Sequence, residues 1–312
     1  MKLLRSLDGF PDQLRNGAVS IGNFDGVHRG HARIMQQLLD SARAVGGPAV
    51  VFTFDPHPVR LLRPELAPPP LTWTRRKADL LAELGVDAVV AYPTDRDLLE
   101  LSPTEFFQRV VVEQLETLAM VEGPNFFFGK DRAGDVDQLG QLCDQADIQL
   151  EVVEPLQEGD GFISSSRVRQ LIAGGDVAEA GQLLTRPYRI RGMVTHGAGR
   201  GKSMGFPTAN VAAIDTLLPA HGVYAGRAYT AQGAATAAIN LGPNPTFGDQ
   251  SVKVEVHLIG TDESLYGLPL EVDFLSRMRD ILPFDSVDQL RDQLARDVNR
   301  ASSIVAQAES QR

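Results

Sequence analysis

The stretch Gly22-Asn23-Phe24-Asp25-Gly26-Val27-His28-Arg29-Gly30-His31 indicates the fold of the first half of the chain. It follows an apolar, β-branched run at Ala18–Gly22 and leads straight into a helical pattern at Ala32–Val45. Further apolar runs alternate with helical patterns after it; these runs are Ala49–Phe54, Ala88–Tyr92, Thr117–Val121 and Ile148–Val153. Such alternation predicts a parallel sheet covered by helices, which is an α/β fold.

The sequence pattern changes after Pro187. Five short apolar runs are separated by turns rich in Gly, Pro and Asn, with no helical pattern between them; they are Tyr188–His196, Val223–Thr230, Ala235–Leu241, Val252–Ile259 and Leu270–Phe274. This pattern predicts a small antiparallel barrel or sandwich, against which an amphipathic helix over 286–308 packs. We therefore expect two domains, over residues 1–185 and 186–312.

Composition excludes several classes of protein. The 312 residues suit two domains, and 43% hydrophobic with 22% charged residues is globular usage. A net charge of −10 disfavours nucleic acid and anionic membranes as partners. The single cysteine, Cys143, excludes an intramolecular disulfide and a cysteine-based zinc site, and its helical surroundings suggest a buried small residue. With neither a signal peptide nor a membrane span in the sequence, we expect a cytoplasmic location.

One segment departs from the acidic average. Residues 180–214 contain no Asp or Glu, yet Arg186, Arg189, Arg191, Arg200 and Lys202 supply a charge of +5. The segment is either a solvated face or a pocket for a small polyanion such as a nucleotide. Charge alone does not choose between them.

His28 and His31 are the first candidate site residues. At the start of a helix, a spacing of three lets both imidazoles face one point, and Gly30 leaves the approach open. The helix N-terminus adds free N–H groups that favour phosphate. Two exposed or capping histidines, or half of a metal site, are the alternatives.

Other polar segments follow the predicted strands, where ligands bind in an open parallel sheet. They are Asp55-Pro56-His57-Pro58, Gly123-Pro124-Asn125 and Ser164-Ser165-Ser166-Arg167-Val168-Arg169. A serine cap is commonly structural, but two arginines just inside a helix start oppose the helix dipole and therefore suggest an anion there.

In the second half, His196-Gly197-Ala198-Gly199-Arg200-Gly201-Lys202-Ser203 ends like a P-loop. The spacing fails because a P-loop would need glycine at position 196, and Pro207 follows too soon for a helix. The glycines can still wrap a phosphate with backbone N–H groups.

Three further residues in this half carry oxygen atoms suited to a nucleotide site. Thr208 and Asn210 can bind a magnesium–phosphate unit from one face of an extended segment, or can form a local turn. Glu255 shares a strand face with Lys253 and His257, which is either a polar outer face or the position of a general base.

Taken together, these motifs closely resemble the bacterial bifunctional riboflavin kinase/FAD synthetase family. The adenylyltransferase module is resembled by Gly22–His31, Thr53–Pro58 and Ile163–Arg169. The kinase module is resembled by Gly205–Asn210, His221–Tyr224, Asn240–Gly242 with Pro245–Phe247, Glu255–Leu258 and Leu265–Gly267. The order is the family's order over nearly the whole chain.

The resemblance implies a Rossmann-like nucleotidyltransferase sheet followed by a small antiparallel β-barrel with a terminal helix. It implies that riboflavin is phosphorylated to FMN and FMN is adenylylated to FAD, each with ATP and Mg²⁺. Catalytic roles fall on Glu255, His28 and His31, and magnesium ligation on Thr208 and Asn210. ATP and phosphate binding is implied for Gly22, Asn23, Phe24, Gly30, Asn125, Ser164, Arg169, Gly197, Gly199 and Lys202, and flavin binding for Asp55, His57, Asn240 and Arg279.

Three departures from the family pattern are visible. Phe127 stands where arginine is often found, and Ser166 and Lys202 replace the usual threonine and arginine. Phe127 motivates the alternative of one active module; a flavin carrier without catalysis is a second alternative, disfavoured by His28, His31 and Glu255. Beyond riboflavin, FMN and ATP, the partner we expect is another copy of the chain, in weak self-association.

Overall fold

A computed structural model describes residues 1–159, 161–197, 199–244, 249–261 and 264–310. The chain forms two compact units, Met1–Pro68 with Trp73–Ser164, and Pro69–Thr72 with Ser165–Arg312. The two helices over 165–184 therefore make their contacts in the second unit. The functional boundary between residues 185 and 186 stays a prediction.

The first unit is built on a six-stranded parallel sheet in the order β1-β4-β3-β2-β5-β6. Its strands are β1 (Lys2–Leu4), β2 (Ala18–Ile21), β3 (Ala49–Phe54), β4 (Ala88–Tyr92), β5 (Ala119–Glu122) and β6 (Gln149–Val152). The parallel sheet is confirmed. The edge strand β1 was missed because three residues carry too little periodicity. The hairpin of β7 (Gln157–Glu158) and β8 (Gly161–Phe162) was missed for the same reason.

Helices cover both faces of this sheet. Helices α1 (Arg29–Val45) and α3 (Thr74–Glu83) pack on one face, and a π-helix (Phe107–Gln114) and α6 (Val136–Gln145) pack on the other. Strand side chains alternate between the two cores, which is why the strands read as continuous apolar runs. Short connecting helices complete the unit: α2 (Pro58–Leu62), α4 (Arg96–Leu99), α5 (Pro103–Phe106) and 3₁₀ turns at Asp12–Leu14, Pro64–Leu66 and Lys130–Arg132.

The second unit is a closed antiparallel barrel in the order β10-β13-β12-β11-β14-β9. Its elements are α7 (Ser165–Gly174), α8 (Val177–Leu184), β9 (Tyr188–Thr195), α9 (Arg200–Ser203), β10 (Ala209–Ala212), β11 (Gly222–Thr230), β12 (Gly233–Asn244), β13 (Asp249–Leu258), β14 (Pro269–Arg279) and α10 (Val287–Ser310). The terminal helix α10 packs on β11, β12 and β14 through Ala301 and Ile304. The predicted barrel and its helix are confirmed.

An opening lies between β2 and β5 in the parallel sheet. These strands pair at Val19 and Met120, and Ile21 N, further along β2, donates to the carboxylate of Glu122 at 2.7 Å. Glu122 is 3% exposed, and burial raises the pKa of its carboxyl group well above the ordinary value. The Glu122 side chain therefore takes the place of a backbone partner where the two strands diverge, and its neutral form is favoured.

We predict that Glu122→Gln makes the first unit more stable at higher pH. Above the ordinary glutamate pKa, the folded chain holds a proton that the unfolded chain has released, so the parent's free energy of unfolding falls as pH rises toward the raised pKa. Glutamine has no such proton, and its amide oxygen can still accept from Ile21 N. Urea unfolding followed by Trp73, the single tryptophan and a residue of this unit, measures the difference from about pH 5 to about pH 8.

The control is Glu151→Gln, which changes an exposed carboxyl group on the neighbouring strand β6. A difference between parent and Glu122→Gln that stays constant over this pH range would contradict the assignment.

Candidate functional site

The two histidines of the opening stretch lie together at the start of α1. Their rings stack with centroids 3.6 Å apart and planes 18° apart. His28 is the N-cap residue, whose Nδ1 accepts from the backbone N–H of His31 at 3.3 Å, and Phe24 meets His31 edge to face. His28 can therefore cap α1 and still form one binding site with His31, because both imidazoles lie at the positive end of this 17-residue helix.

Close packing explains two glycines of this stretch. A Cβ at Gly30 would lie 3.1 Å from the His28 imidazole and 3.4 Å from the carbonyl oxygen of Ile163. A Cβ at Gly22 would lie 3.0 Å from the Phe24 ring. The absence of a side chain at Gly30 therefore lets the segment before Ser164 approach the start of α1.

The loop after β3 lies beside this stretch because β3 is the neighbour of β2. The carboxylate of Asp55 accepts from Arg5 and from Thr74 Oγ1, the latter at 2.7 Å. His57 caps the short helix α2, accepting from the Val59 N–H at 3.1 Å. Both predicted flavin residues thus have local structural partners, and flavin binding stays a prediction.

Lys77 on α3 is a charged residue of this region that the sequence analysis missed. Its ammonium group donates to Thr53 Oγ1 at 3.3 Å, and it is 8% exposed. Burial lowers the pKa of Lys77, and Asp25 and Asp55 oppose that shift. A lysine on the apolar face of α3, one residue before the buried Ala78, was the available signal.

The remaining predicted residues of the first half are more dispersed. Asn125 is exposed in the turn after β5, and Arg169 belongs to the second unit, where it donates to the Pro69 carbonyl at 3.0 Å. Phe127, the departure from the family pattern, is exposed and carries the guanidinium of Arg132 at 4.8 Å from its ring centroid. A cation is thus present beside Phe127.

In the barrel, strand pairing aligns three predicted residues in one row. Glu255 on β13 is the register partner of Asn210 on β10 and of Asn240 on β12. The Asn240 side-chain amide donates to the Glu255 carboxylate at 3.4 Å. All three line one cavity together with Thr208 and Arg279, and Glu255 is partly buried there.

The glycine-rich segment approaches this row closely. A Cβ at Gly197 would lie 2.1 Å from Asn210 Nδ2, and one at Gly201 would lie 2.3 Å from the Phe206 carbonyl oxygen. His257 Nδ1 lies 2.7 Å from the Pro207 carbonyl oxygen. Gly199 lines the cavity, whereas the side chain of Lys202 and the motif Pro245–Phe247 lie outside the described residues.

Gly201-Lys202-Ser203 lies within the four-residue helix α9. A P-loop instead opens a long helix after this motif. The P-loop reading stays rejected.

The far wall of the cavity comes from the segment after β14 and from α10. Arg279 donates to Asp297 of α10 at distances of 2.7 to 3.2 Å, and Phe284 lies under its guanidinium. The apolar part of this wall is Ile281, Leu282, Leu290, Leu294 and Val298. Asp297, 4% exposed, was missed; like Lys77, it is a charge on the buried face of an amphipathic helix.

A second cavity adjoins the first. It is lined by Val194, Gly205, Pro207, Ala209, Leu258, Thr261, Ser264, Leu265 and Tyr266, and it shares Thr208 with the first. The segment 205–208 therefore separates the two cavities.

The segment 180–214, which contains no Asp or Glu, does not present its five cations as one unpaired cluster. Arg189 pairs with Asp273 at 2.5 Å and with Glu271 at 3.0 Å, and Arg191 pairs with Asp215 at 2.8 Å. Neither arginine lines either cavity. The polyanion interpretation is wrong for these two residues, because acids distant in sequence neutralise them.

The described residues contain no metal site of clustered His, Cys, Asp or Glu, no membrane-spanning helix and no reactive thiol. They hold no group of three or more His, Cys, Asp or Glu side chains placed to bind a metal ion. They also include no helix that is both long and apolar enough to cross a membrane. Burial raises the pKa of the Cys143 thiol to about 12, which makes it unreactive.

Two family models match the chain. The FAD synthetase model matches residues 10–167, and the riboflavin kinase model matches residues 184–305. A solved structure described as a macrolide-efflux protein from Streptococcus pneumoniae superposes with a TM-score of 0.85 at 31% identity, covering 96% of this chain and 98% of that one. That likeness supports the fold, and its description is not carried over to this chain.

Curated relatives match over nearly their whole length. The bifunctional riboflavin kinase/FMN adenylyltransferase of Escherichia coli K12 is 36% identical, covering 95% of this chain and 96% of the relative. The same enzyme of Pseudomonas fluorescens is 34% identical, covering 98% of each chain. The chain therefore belongs to the bifunctional riboflavin kinase/FMN adenylyltransferase family, with FMN adenylyltransferase activity in its amino-terminal part and riboflavin kinase activity in its carboxy-terminal part.

Proposed function

We propose that adenylyl transfer takes place at the start of α1, beside His28 and His31, and riboflavin phosphorylation in the barrel cavity, beside Glu255. The observation that carries the proposal is the row formed by Asn210, Glu255 and Asn240, which brings three predicted residues into one cavity. We also propose a cytoplasmic location, since both reactions consume ATP.

In adenylyl transfer, a phosphate oxygen of FMN attacks the α-phosphorus of ATP. A new P–O bond forms as the bond to pyrophosphate breaks. The nucleophile is already ionised, so the reaction needs positioning and charge neutralisation more than a general base. The imidazoles of His28 and His31 and the N–H groups at the start of α1 can supply both to the ATP phosphates.

The surrounding residues suit the two substrates of this step. Gly22 and Gly30 keep side chains away from the phosphates, and the buried side-chain oxygen of Asn23 accepts no hydrogen bond from the described residues, which fits a donor on the nucleotide. Phe24, Asn125 and Ser164 complete the proposed nucleotide contacts of this unit, and Asp55 and His57 the flavin side; a nucleotide contact of Arg169 stays a prediction from the sequence.

Riboflavin phosphorylation differs because the nucleophile is a neutral alcohol. Glu255 acts as the general base that removes the hydroxyl proton as the oxygen attacks the γ-phosphorus of ATP, and ADP leaves. Asn240 donates to the Glu255 carboxylate and orients it. Gly197, Gly199 and Lys202 belong to the segment that covers the ATP phosphates.

Thr208 and Asn210 fit a Mg²⁺ ion that is held largely by the nucleotide. Both offer neutral oxygen atoms, and Mg²⁺ commonly takes one or two protein groups together with substrate phosphates and waters. When bound, the ion neutralises the charge on the transferring phosphoryl group. Asn210 is the register partner of Glu255, so one residue that would hold the ion and the residue that would act as base belong to neighbouring strands.

The two cavities suit the two substrates of the kinase reaction. The first has a broad apolar wall from α10 and contains Glu255 and Arg279, which suits the isoalloxazine ring and ribityl chain of riboflavin. The second, lined by Leu265 and Tyr266, suits the adenine ring of ATP. Thr208 at their border then lies where the phosphates meet the riboflavin hydroxyl.

Two sets of variants test whether each domain carries out one of the two reactions. His28→Ala with His31→Ala lowers FAD formation from FMN by about 100-fold or more because the ATP phosphates lose their donors, and it spares FMN formation. Glu255→Ala lowers FMN formation by about 100-fold or more and spares FAD formation when FMN is supplied. Chromatography of incubations with riboflavin and Mg-ATP, or with FMN and Mg-ATP, measures both.

The parent chain is the control and should yield both products. Loss of both activities in either folded variant would overturn the assignment of one reaction to each domain.

The second prediction concerns the metal. Thr208→Val with Asn210→Leu removes both oxygen donors, so the Mg²⁺ concentration for half-maximal kinase activity rises at least about tenfold. Adenylyl transfer in the same preparation serves as the internal control. An unchanged Mg²⁺ requirement for the kinase would contradict ligation by these residues.

The third prediction concerns the flavin cavity. Leu294→Trp fills space against the α10 wall and raises the KM for riboflavin about tenfold, equivalent to ~1.4 kcal/mol, with little change in the KM for ATP. Ala295→Trp introduces the same ring at the next, exposed position of α10 and leaves both constants unchanged. Equal effects of the two variants on the KM for riboflavin would argue against this cavity as the flavin site.

A further inference from the structure

The amino-terminal site contains a buried cation whose function the proposed mechanism does not explain. Lys77 lies on the core-facing side of α3, and Ala78 and Leu81 on the same side are fully buried. Removing an ammonium group from water costs several kcal/mol unless it is paired and hydrogen-bonded. A methionine or leucine would fill the same space without this cost, so the charge itself requires an explanation.

The Lys77 ammonium is the first member of a short hydrogen-bonded chain. It donates to Thr53 Oγ1 at 3.3 Å, and the Thr53 hydroxyl donates to the carbonyl oxygen of Asn23 at 3.2 Å. Thr53 is fully buried near the end of β3, and Asn23 begins the loop after β2. The chain therefore joins α3, β3 and the loop that leads to His28.

Two carboxylates, one from each loop, raise the pKa of Lys77 by their charge and so oppose the effect of burial. Asp25 belongs to the loop after β2 and is 7% exposed; Asp55 ends the loop side of β3 and is also paired with Arg5. Both attract the ammonium, while burial lowers the pKa of Lys77. The charge of Lys77 is thus coupled to an acid of each loop, while its hydrogen bond is to Thr53 at the end of β3.

The loop that Lys77 contacts through Thr53 has an unfavourable backbone. Phe24 and Val27 have φ values of 45° and 44°, in the left-handed region that branched side chains rarely adopt. Such conformations persist when the surrounding contacts hold them. The hydrogen-bonded chain from Lys77 meets the loop at Asn23, next to Phe24, and Asp25 follows directly.

We propose that Lys77 is a positioning residue for adenylyl transfer, whose ammonium group holds the loop carrying Asn23 and Asp25 against the end of β3 and so sets the distance between the ATP phosphates at His28 and the flavin phosphate near Asp55. This inference rests on the proposed function of the amino-terminal site. Lys77 touches no reacting atom in this account; it acts through Thr53 and Asp25.

The test compares Lys77→Met with Thr53→Val, each assayed with saturating FMN and Mg-ATP. Misplacement of the two phosphates lowers kcat for FAD formation by about 100-fold in Lys77→Met, and saturating Mg-ATP keeps any change in nucleotide affinity out of this rate. Thr53→Val lowers kcat in the same direction, and adding it to Lys77→Met causes no further loss, since both changes break one chain. The matched variant Thr53→Ser keeps the hydroxyl group and therefore has the same kcat as the parent.

The pH profile separates positioning from packing. The parent loses FAD formation as pH rises through the pKa of Lys77, which lies below that of an ordinary lysine, because the neutral amine no longer attracts Asp25 and Asp55. In Lys77→Met this alkaline loss is absent. Lys2→Met, the same change at an exposed position of β1, keeps the parent rate and profile.

Folding is followed separately by Trp73, whose carbonyl oxygen accepts from the Lys77 N–H. If Lys77→Met does not fold, Thr53→Val decides. A kcat within about threefold of the parent in folded Lys77→Met, or in Thr53→Val, overturns the inference. Absence of FAD formation by the parent chain would instead overturn the proposed function.

Discussion

The hydrogen bond from Ile21 N to the Glu122 carboxyl group marks the point on which the amino-terminal site depends. Parallel strands that diverge leave backbone N–H groups unpaired, and a buried unpaired group is costly. Here a side chain pairs with Ile21 N, so β2 and β5 can separate without exposing the sheet to water. The loops after them are thereby free to leave the sheet in different directions, and the order of strands reverses at this opening, where ligands bind in open α/β sheets.

In the barrel, the register of the strands places the candidate site residues next to one another. Antiparallel pairing makes Asn210 and Asn240 the direct neighbours of Glu255, and a one-residue shift of either strand would turn its side chain to the other face. Rigid strands suit a reaction that needs a base within hydrogen-bond reach of a hydroxyl group. In the parallel sheet, a helix N-terminus and two imidazoles suit a reaction whose nucleophile already carries its charge. The difference between the two proposed sites matches the difference in ionisation between the two nucleophiles.

Much of this arrangement could be predicted from residue patterns. The strand–helix alternation predicts the parallel sheet, and the spacing of His28 and His31 predicts that their rings meet, because both depend on neighbours in sequence. Strand β10 was missed since its four residues follow Pro207 without a clear alternation. The contacts of Lys77, Glu122 and Asp297 were missed for another reason: each is an ionisable side chain among apolar neighbours, and its partners come from other elements. In a periodic apolar pattern such residues appear only as interruptions. The pattern does not indicate which hydrogen-bond or charge partners they have in the fold.

The five cations of the acid-free run show why local charge is a poor guide in a barrel. Sequence counts treat Arg189 and Arg191 as free because residues 180–214 contain no acid, yet strand pairing brings Asp273 next to Arg189, and Asp215 reaches Arg191. In an antiparallel sheet the cross-strand neighbour, distant in sequence, sets the local field. Lys77 is the converse case, a buried lysine whose pKa is lowered by burial and raised by the charges of Asp25 and Asp55. Burial alone does not mark a cation with a function, because Arg189 is also largely buried and is matched by Asp273 and Glu271, and the number of like charges near a cation in sequence does not reveal such pairing.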